Sequence, residues 1–269
     1  MYDEPVFRPP SEAGSLIIQA TLGCSWNKCA FCEMYSSKKF RARPELDVFN
    51  EIKDFAPYGA EVRKVFLADG NATVLSTDRL LKLISWINEY FPKVRRISSY
   101  ALPTDLISKS DEELKQLFEA GLKLLYIGIE SGDDVLLKLI NKGETAASTI
   151  EGINKAQKAG IQCSVMILNG LGGKKYSQQH AINSAKLLNE IQPDFLSTLV
   201  LSFPFGEEHY KTKFEGDYQS MSTTELLSEL KLFLEHTELK STVFRSDHAS
   251  NYLIHKGILG PSKQGMIVK

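Results

Sequence analysis

Short apolar runs rich in β-forming residues alternate with amphipathic helical stretches from the start of the chain up to Gly206. Six such units in a row favour a parallel sheet with right-handed helical crossovers. The predicted strands are Ser15–Gly23, Val62–Ala68, Arg96–Ala101, Leu124–Glu130, Ile161–Leu168 and Phe195–Phe203. The predicted helices between them are Glu45–Phe55, Thr77–Tyr90, Asp111–Ala120, Thr145–Ala159 and Ser177–Ile191. Because six units are too few for a closed eight-stranded barrel, we expect an α/β fold: a partial (β/α)6 barrel with a mostly parallel six-stranded sheet.

The pattern changes after Gly206. A helix is predicted over Thr223–His236, and an irregular tail rich in His, Ser, Gly and Asn follows it. We therefore predict a core domain over residues 1–206, in which residues 1–14 form an N-terminal extension. Residues 207–269 are predicted to form a short helical and irregular C-terminal extension, a helix and strap that pack on the core.

Charge and hydropathy argue against several classes of partner. The 269 residues carry a formal net charge of -1 and are 43% hydrophobic, which indicates an ordinary core and no basic field for nucleic acid or anionic lipid. No apolar run approaches the roughly 20 residues of a membrane span. The polar N-terminus does not read as a secretion signal. We therefore expect a cytoplasmic protein with no membrane attachment and no strong nucleic-acid signal.

Three of the four cysteines, Cys24, Cys29 and Cys32, lie within nine residues after the first predicted strand. Such crowding is a poor disulfide framework for a chain of this size, but thiolates are good ligands for iron–sulfur clusters and zinc. Three cysteines can hold three corners of a cubane cluster and leave one iron open, whereas a structural zinc site takes four protein ligands. The fourth cysteine, Cys163, is predicted to be a buried core thiol because it lies inside an apolar strand.

The spacing C-x4-C-x2-C also occurs in plant-type [2Fe–2S] ferredoxins. Such a cluster needs a fourth cysteine further along the chain, and Cys163 is predicted to be buried in the core. The surrounding strand–helix alternation also predicts a parallel α/β sheet. We therefore favour a cluster with one open iron over a ferredoxin-type centre.

Other polar and glycine residues follow the predicted strands at the edge where parallel α/β sheets hold their reactive groups. They are Asp69, Gly70 and Asn71 after the second strand, Glu130 and Ser131 after the fourth, and Asn169, Gly170 and Gly172 after the fifth. Two structural alternatives stay open, since Asp69 could simply start an Asp-Gly turn and Glu130 could face water. The glycine-rich segment after the fifth strand lacks the Lys and Ser/Thr of a phosphate-binding loop and so predicts no such loop.

The tail segment Phe244–Tyr252 is dense in hydrogen-bonding residues. One hypothesis is that it folds over the open mouth of the sheet, with His248 or Tyr252 placed for proton or hydrogen transfer to a substrate. The alternative is a packed strap whose polar groups bond to one another.

The cysteine loop, with Phe31 directly before Cys32, resembles the signature of the radical S-adenosylmethionine superfamily. The common spacing in that superfamily is C-x3-C-x2-C, and this chain has one more residue between Cys24 and Cys29. The segments FLADGNA, LYIGIESGDD, INKGET, NGLGG and FRSDHASNY extend the resemblance over roughly the whole chain. They are similar to a bacterial and archaeal subgroup related to oxygen-independent coproporphyrinogen oxidase and to Elp3-type tRNA-modifying radical enzymes.

The resemblance implies a role for each matching residue. Cys24, Cys29 and Cys32 would ligate three irons of a [4Fe–4S] cluster, and S-adenosylmethionine would bind the fourth iron through its amine and carboxylate. The residues expected at S-adenosylmethionine are Phe31 near the adenine, Asp69, Gly70 and Asn71 near the methionine amine, Ser99, Glu130 and Ser131 near the ribose or carboxylate, and Asn169, Gly170 and Gly172 near the adenosine.

The resemblance also implies a reaction. Reductive cleavage of S-adenosylmethionine would give a 5′-deoxyadenosyl radical that abstracts hydrogen from a substrate, in a reaction of oxidoreductase or transferase type. A one-electron donor such as a flavodoxin or ferredoxin is the implied partner. Because no RNA-binding domain is visible after the sixth strand, we expect a small-molecule substrate. The alternatives are a radical enzyme that modifies tRNA or a peptide, and a non-enzymatic iron–sulfur electron-transfer protein, which would need a fourth protein ligand.

Overall fold

The computed structural model describes residues 2–268, in which eight strands form one main sheet. The strands are β1 (Leu16–Gln19), β2 (Thr21–Leu22), β3 (Arg41–Ala42), β4 (Lys64–Ala68), β5 (Arg96–Tyr100), β6 (Leu122–Glu130), β7 (Gln162–Asn169), β8 (Phe195–Val200), β9 (Val243–Ser246) and β10 (His255–Ile258). The sheet runs in the order β1-β4-β5-β6-β7-β8-β9-β10, and β2 pairs separately with β3. The neighbouring strands β1 and β4, β4 and β5, β5 and β6, β7 and β8, and β8 and β9 run parallel to each other. Strand β10 is antiparallel to β9.

Helices of very different length connect these strands. They are α1 (Glu45–Asp54), α2 (Thr77–Tyr90), α3 (Pro103–Ile107), α4 (Asp111–Ala120), α5 (Asp134–Leu139), α6 (Ala146–Lys158), α7 (Gly173–Ile191), α8 (Glu207–Lys213), α9 (Thr223–His236) and α10 (Lys263–Val268). Across residues 2–268, none of them is both long enough and apolar enough to cross a bilayer.

The α/β class and the mostly parallel sheet are confirmed, while the predicted number of six strands is corrected to eight. The two additional strands, β9 and β10, lie in the tail for which an irregular structure was predicted. In β9, Phe244 and Ser246 are buried and Arg245 is exposed, which is the alternation of a half-buried strand. Four residues are too few for this alternation to stand out in a polar segment. The domain division at residue 206 stays a prediction.

The first predicted strand is interrupted at Ala20. The N–H of Ala20 donates to the carbonyl of Ala68 at 2.6 Å, and its own carbonyl accepts from the N–H of Arg43 at 3.1 Å. The chain therefore leaves the main sheet at this residue and pairs with β3 instead. The antiparallel pair of β2 and β3 closes the loop that carries the three clustered cysteines.

The chain divides into two compact units. The first comprises the N-terminal segment through Asn27, Met34–Ile127 and Gly152–Cys163. Its core includes the buried residues of β4 and the buried face of α2, which consists of Leu80, Leu83, Ile84 and Ile87. Their spacing of three and four residues is that of one helix face packed on a core.

The second unit comprises Lys28–Glu33, Gly128–Glu151 and the chain from Ser164 onward. Its core includes a cluster of buried residues, namely Ala30, Leu136, Leu137, Ile140, Leu168, Leu171, Leu201, Tyr210, Phe214 and Tyr218. Three aromatic rings in this cluster pack against one another in tilted or edge-on geometry, with centroids 4.9 to 5.6 Å apart. Such contacts add to the stabilisation that burial alone provides.

Candidate active site

The clustered cysteines lie in the segment between β2 and β3, and all three side chains are half-buried and outside any disulfide. Cys29 and Cys32 share a turn in which the N–H of Cys32 donates to the carbonyl of Cys29 at 3.2 Å. Cys163 is fully buried in β7, which confirms that it is a core thiol. Within residues 2–268, no three His, Cys, Asp or Glu side chains form a group that could hold a metal ion. The fit of an iron–sulfur cluster therefore rests on the chemistry of the thiol donors and on the groups that support them.

The loop segment Lys28–Glu33 is anchored at two points in the second unit. The N–H of Ala30 donates to the carbonyl of Ile140 at 2.8 Å, and the Ala30 methyl is buried in the core cluster. At the end of the segment, Glu33 Oε1 accepts from Lys213 Nζ on α8 at 2.8 Å. These contacts restrain the turn that carries two of the cysteines.

Asp69 and Asn71, which follow β4, hold the backbone on both sides of Cys24. Asp69 Oδ2 accepts from the N–H of Gly23 at 3.1 Å, and Asn71 Oδ1 accepts from the N–H of Ser25 at 3.0 Å. Both side chains are fully buried. The two bonds fix the backbone of Cys24 and thereby the direction of its side chain.

Gly70 packs directly against the backbone of Cys24. The N–H of Gly70 donates to the carbonyl of Gly23 at 3.0 Å. A Cβ at position 70 would lie 2.6 Å from Cys24 Cα and 2.7 Å from Cys24 Cβ. Only glycine permits this approach without a shift of the cysteine backbone.

The Asp69 carboxylate also holds a buried ion pair. Lys38 Nζ lies 2.9 Å from Asp69 Oδ2, and Gln19 Nε2 donates to Asp69 Oδ1 at 3.3 Å. Both carboxylate oxygens therefore accept hydrogen bonds inside the first unit. The predicted contact between Asp69 and the methionine amine stays a prediction.

Asn71 is itself held by Asp105 on α3. Asn71 Nδ2 donates to Asp105 Oδ2 at 2.9 Å, and Thr73 Oγ1 donates to the same oxygen at 2.7 Å. Burial raises the pKa of Asp105, and the hydrogen bonds from Asn71 and Thr73 oppose this rise. Asn71, which fixes the backbone beside Cys24, is therefore itself held by a second buried polar side chain, that of Asp105.

Glu130 ends β6 in an unusual conformation, with a φ of +67° and 3% of its surface exposed. Its Oε1 lies 3.2 Å from Lys142 Nζ, while Oε2 has no hydrogen-bond partner within residues 2–268. Burial raises the pKa of Glu130, and the Lys142 ammonium opposes this rise. A buried polar atom without a partner is costly, so Oε2 is suited to accept a hydrogen bond from a ligand.

Gly128 makes room for the folded-back Glu130 side chain. A Cβ at position 128 would lie 2.0 Å from Glu130 Oε1. The sequence analysis did not single out this glycine. The signal that could have found it is its place two residues before a carboxylate at the end of an otherwise apolar strand.

Lys142 is a site residue that the sequence analysis quoted only as part of the segment INKGET. The side chain is 6% exposed, and its Nζ lies 5.7 Å from the centroid of the Phe31 ring. Burial lowers the pKa of Lys142, but the Glu130 carboxylate and the thiols of Cys29 and Cys32 raise it above its ordinary value overall. The second unit thus brings Phe31, two cysteines and Glu130 around one buried cation.

Ser131 is held in place by the buried His180 on α7. His180 Nε2 lies 3.0 Å from the carbonyl of Leu168, and because a carbonyl only accepts, Nε2 carries the proton. In a neutral imidazole ring, His180 Nδ1 then accepts from the hydroxyl of Ser131 at 2.8 Å. The Ser131 oxygen in turn accepts from the N–H of Asp133 at 3.0 Å. With this direction of the bond, Ser131 offers a ligand an acceptor oxygen.

The glycines after β7 are built into close backbone contacts. Gly170 has a φ of +79°, its N–H donates to Glu229 Oε1 on α9 at 2.6 Å, and its carbonyl accepts from the Tyr218 hydroxyl at 3.2 Å. A Cβ at Gly172 would lie 2.6 Å from Tyr176 Cβ. Helix α9, beyond residue 206, thereby fixes the loop predicted to approach the adenosine.

Ser99 lies within β5 and is fully buried. Its hydroxyl lies 3.1 Å from the carbonyl of Leu67 and 2.9 Å from the carbonyl of Tyr100. A hydroxyl has one proton, so both contacts compete for it. The predicted ribose contact of Ser99 stays a prediction.

The two tail residues predicted to act on the substrate are both exposed. His248 Nδ1 lies 2.8 Å from the hydroxyl of Ser250, which is a contact within the tail. Tyr252 is 62% exposed and lines a small surface cavity of about 10 Å³ together with Asn169 and Thr198. The structure therefore brings Tyr252 beside one predicted adenosine-binding residue.

Asn251 is the tail residue that the sequence analysis missed. Its Oδ1 accepts from the N–H of Val200 at 2.9 Å, and its Nδ2 donates to the carbonyl of Thr198 at 2.8 Å. The side chain therefore substitutes for a strand at the edge of β8, beyond the last residue of β9. An amide is the side chain that can donate and accept in this way.

Comparisons with known proteins give the family. A family model described as the radical SAM superfamily matches residues 18–200. The heme chaperone HemW of Bacillus subtilis is 28% identical over 169 residues, which cover 62% of this chain and 44% of that protein. The tRNA-2-methylthio-N(6)-dimethylallyladenosine synthase of Chloroherpeton thalassium is 27% identical over 190 residues, which cover 67% of this chain and 40% of that protein.

Solved structures give the same fold. Coproporphyrinogen III oxidase (HemN) from Escherichia coli matches with a TM-score of 0.63 at 21% identity, over 82% of this chain and 52% of that one. This chain spans about half the length of the proteins it matches. The family model covers more than half of the chain, including the three clustered cysteines. The chain therefore belongs to the radical SAM superfamily, whose members use a [4Fe–4S] cluster and S-adenosylmethionine.

Proposed function

We propose that Cys24, Cys29 and Cys32 ligate a [4Fe–4S] cluster with one open iron, to which S-adenosylmethionine binds. When bound, the cluster supplies the electron that cleaves S-adenosylmethionine to a 5′-deoxyadenosyl radical. The observation that carries the proposal is the presence of three half-buried thiols, outside any disulfide, in the part of the chain that matches the family. Thiolates are the ligands that such clusters take.

The surroundings of the thiols support the same donor set. Asp69 and Asn71 act as positioning residues, because their hydrogen bonds fix the backbone on both sides of Cys24. Gly70 leaves the space in which that backbone lies. Outer groups of this kind orient the residues that ligate a metal.

Glu130 and Ser131 bind S-adenosylmethionine as acceptors in this proposal. Glu130 Oε2 is buried and has no partner within the described residues, so a ribose hydroxyl or the methionine ammonium would satisfy it. Ser131 has already donated its proton to His180 and complements a hydroxyl in the same way. Phe31 would cover the adenine, and the backbone at Asn169, Gly170 and Gly172 would approach the adenosine.

A small molecule is the proposed substrate, and a flavodoxin or ferredoxin the proposed electron donor. Two of the compared proteins carry names from porphyrin chemistry, heme chaperone and coproporphyrinogen III oxidase. Tyr252, at the pocket beside Asn169, is the tail residue best placed to contact such a substrate. His248 would take part only if the tail rearranged around it.

Modification of tRNA is the second candidate, and the named synthase among the relatives favours it. The formal net charge of -1 speaks against it, because nucleic-acid binding draws on positive charge. Incubating the loaded enzyme with bulk tRNA and with small-molecule extracts separately, and following consumption of S-adenosylmethionine, separates the two candidates.

The test of the cofactor chemistry is anaerobic reconstitution followed by dithionite and S-adenosylmethionine, with 5′-deoxyadenosine measured by mass spectrometry. Wild-type protein and a Cys163→Ala control should form the product, and Cys29→Ser should not. Cys163 is a suitable control because it is the buried thiol outside the loop. A wild-type preparation with full iron and sulfide content that yields no 5′-deoxyadenosine contradicts the proposal.

A further inference from the structure

Lys142 is a buried cation to which none of the steps above gives a role. Its Nζ lies 3.2 Å from Glu130 Oε1 and 5.7 Å from the centroid of the Phe31 ring. A distance below about 6 Å to a ring centroid is an attractive cation–π contact. Since Phe31 directly precedes Cys32, the ammonium lies beside the turn that carries two of the thiols.

The positive end of the Lys142–Glu130 pair is the one next to the cysteines. The thiols of Cys29 and Cys32 contribute to the raised pKa of Lys142, whereas burial is what raises the pKa of Glu130. Glu130 Oε1 lies over Gly128, where an added Cβ would come within 2.0 Å of it. The charge that acts on the cysteine turn is therefore the Lys142 ammonium, whose counter-ion is the Glu130 carboxylate 3.2 Å from it.

A fixed cation next to a thiolate-ligated cluster has a defined electrostatic effect. The reduction potential of an iron–sulfur cluster depends on net charge, on hydrogen bonds to sulfur and on burial. Reduction adds one negative charge. A neighbouring cation in a poorly screened environment stabilises that added charge, because the attraction between charges grows as the local dielectric constant falls.

We propose that Lys142 sets the reduction potential of the cluster, by stabilising its reduced state with a buried positive charge. The proposal rests on the proposed cluster at Cys24, Cys29 and Cys32. The electron comes from the flavodoxin- or ferredoxin-type donor, and Lys142 changes how far the cluster is reduced at a given donor potential. Lys142 is an electrostatic residue in this role and touches neither the substrate nor the transferred hydrogen.

The test is a redox titration of the reconstituted protein without S-adenosylmethionine, followed by electron paramagnetic resonance. At the potential where half of the wild-type cluster is reduced, Lys142→Met should lower the ratio of reduced to oxidised cluster about tenfold. For a one-electron couple, this corresponds to a reduction potential about 59 mV lower. Lys142→Arg keeps the charge and should stay within about twofold of wild type on the same scale.

Two further variants separate charge from damage. Lys142→Met leaves the Glu130 carboxylate buried without its partner, which can impair folding, so Lys142→Met combined with Glu130→Gln removes both charges together. This double variant should also lower the ratio, by about threefold or more, because the nearer charge is the positive one. Glu130→Gln alone leaves the ammonium uncompensated and should raise the ratio above that of wild type.

If Glu130→Gln and Lys142→Met shift the ratio of reduced to oxidised cluster in opposite directions, the effect is electrostatic. If both single variants shift the ratio of reduced to oxidised cluster in the same direction, the role of Lys142 is overturned. It is also overturned if the double variant has the same reduction potential as wild type. Iron and sulfide content and the visible absorption of the wild-type protein report separately on the cluster. If wild type holds no cluster, the proposed function fails; if it holds a full cluster and the titrations coincide, only the role of Lys142 fails.

Discussion

The two oxygens of the Glu130 carboxylate are in different situations: Oε1 lies 3.2 Å from Lys142 Nζ, and Oε2 has no hydrogen-bond partner within residues 2–268. One half of the group is thus fixed by the protein, and the other half is left for a donor from outside. Under the proposed function, this arrangement would orient S-adenosylmethionine without a second rearrangement of the side chain, which is the advantage of a preorganised site.

Glu130→Gln should weaken binding of S-adenosylmethionine about tenfold, a loss of about 1.4 kcal/mol. The amide retains the shape of the side chain but replaces one acceptor oxygen with a donor. Equilibrium dialysis with labelled S-adenosylmethionine on the reconstituted protein measures the change. Glu151→Gln, an exposed position on α6, is the matched control and should bind as wild type does. Equal affinity of Glu130→Gln and wild type would falsify a ligand contact at Oε2.

Gly70→Ala should reduce the iron that the protein retains after reconstitution while leaving the secondary structure intact. The added Cβ would come within 2.6 Å of Cys24 Cα, so the backbone of the cysteine has to move. Iron and sulfide analysis together with far-ultraviolet circular dichroism measures both effects. Gly14→Ala is the control, because nothing lies within 4 Å of a Cβ there. A fully loaded Gly70→Ala protein would show that Cys24 tolerates the displacement.

The buried pair Asp69–Lys38 should contribute to stability in a non-additive way. Its side chains are 0% and 5% exposed, so Asp69→Asn alone should lower the free energy of unfolding by roughly 3 kcal/mol, since it leaves the buried Lys38 ammonium with only the half-exposed Asp3 carboxylate, 3.5 Å away. Adding Lys38→Met should recover part of that loss. Asp111→Asn, which breaks the exposed pair with Lys158, should leave the free energy of unfolding close to that of wild type. Urea unfolding of the cycle checks this, and simple additivity would argue against a coupled pair.

Asp105→Asn should change how stability depends on pH. Burial raises the pKa of Asp105 above its ordinary value of 3.8, so the folded state binds this proton more tightly than the unfolded state does. The resulting stabilisation is present in full below pH 3.8 and is lost as the pH rises through the raised pKa. The variant should therefore gain stability relative to wild type as the pH rises over that window. Urea unfolding at several pH values measures the difference, and parallel profiles would contradict it.

Several elements could be predicted from the sequence because their signals are local. Strand β4 was predicted at Val62–Ala68 and lies at Lys64–Ala68, and helix α2 was predicted with its observed bounds. Both have apolar patterns long enough to separate the strand period from the helix period. The cysteine loop was found for the same reason, since its spacing is contained in nine residues.

The rest depends on contacts that no local pattern contains. Lys142 reads as an ordinary lysine in a turn, and its importance follows from Glu130, which lies twelve residues earlier. Glu130 itself could be placed at the strand end, but its positive φ and its space over Gly128 could not. Asn251 accepts a hydrogen bond from Val200 of β8, which lies 51 residues earlier in the chain. Each of these residues has its role only after distant strands have met.

Strand β9 lies beside β8 in the sheet, although it comes from the segment beyond residue 206. A chain cut after Gly206 would lose β9, β10 and the Asn251 amide together, and the whole edge of β8 would be left with open N–H and C=O groups. Open strand edges recruit further strands from neighbouring molecules. Such a shortened protein is therefore expected to aggregate during expression even though it keeps every predicted cluster ligand.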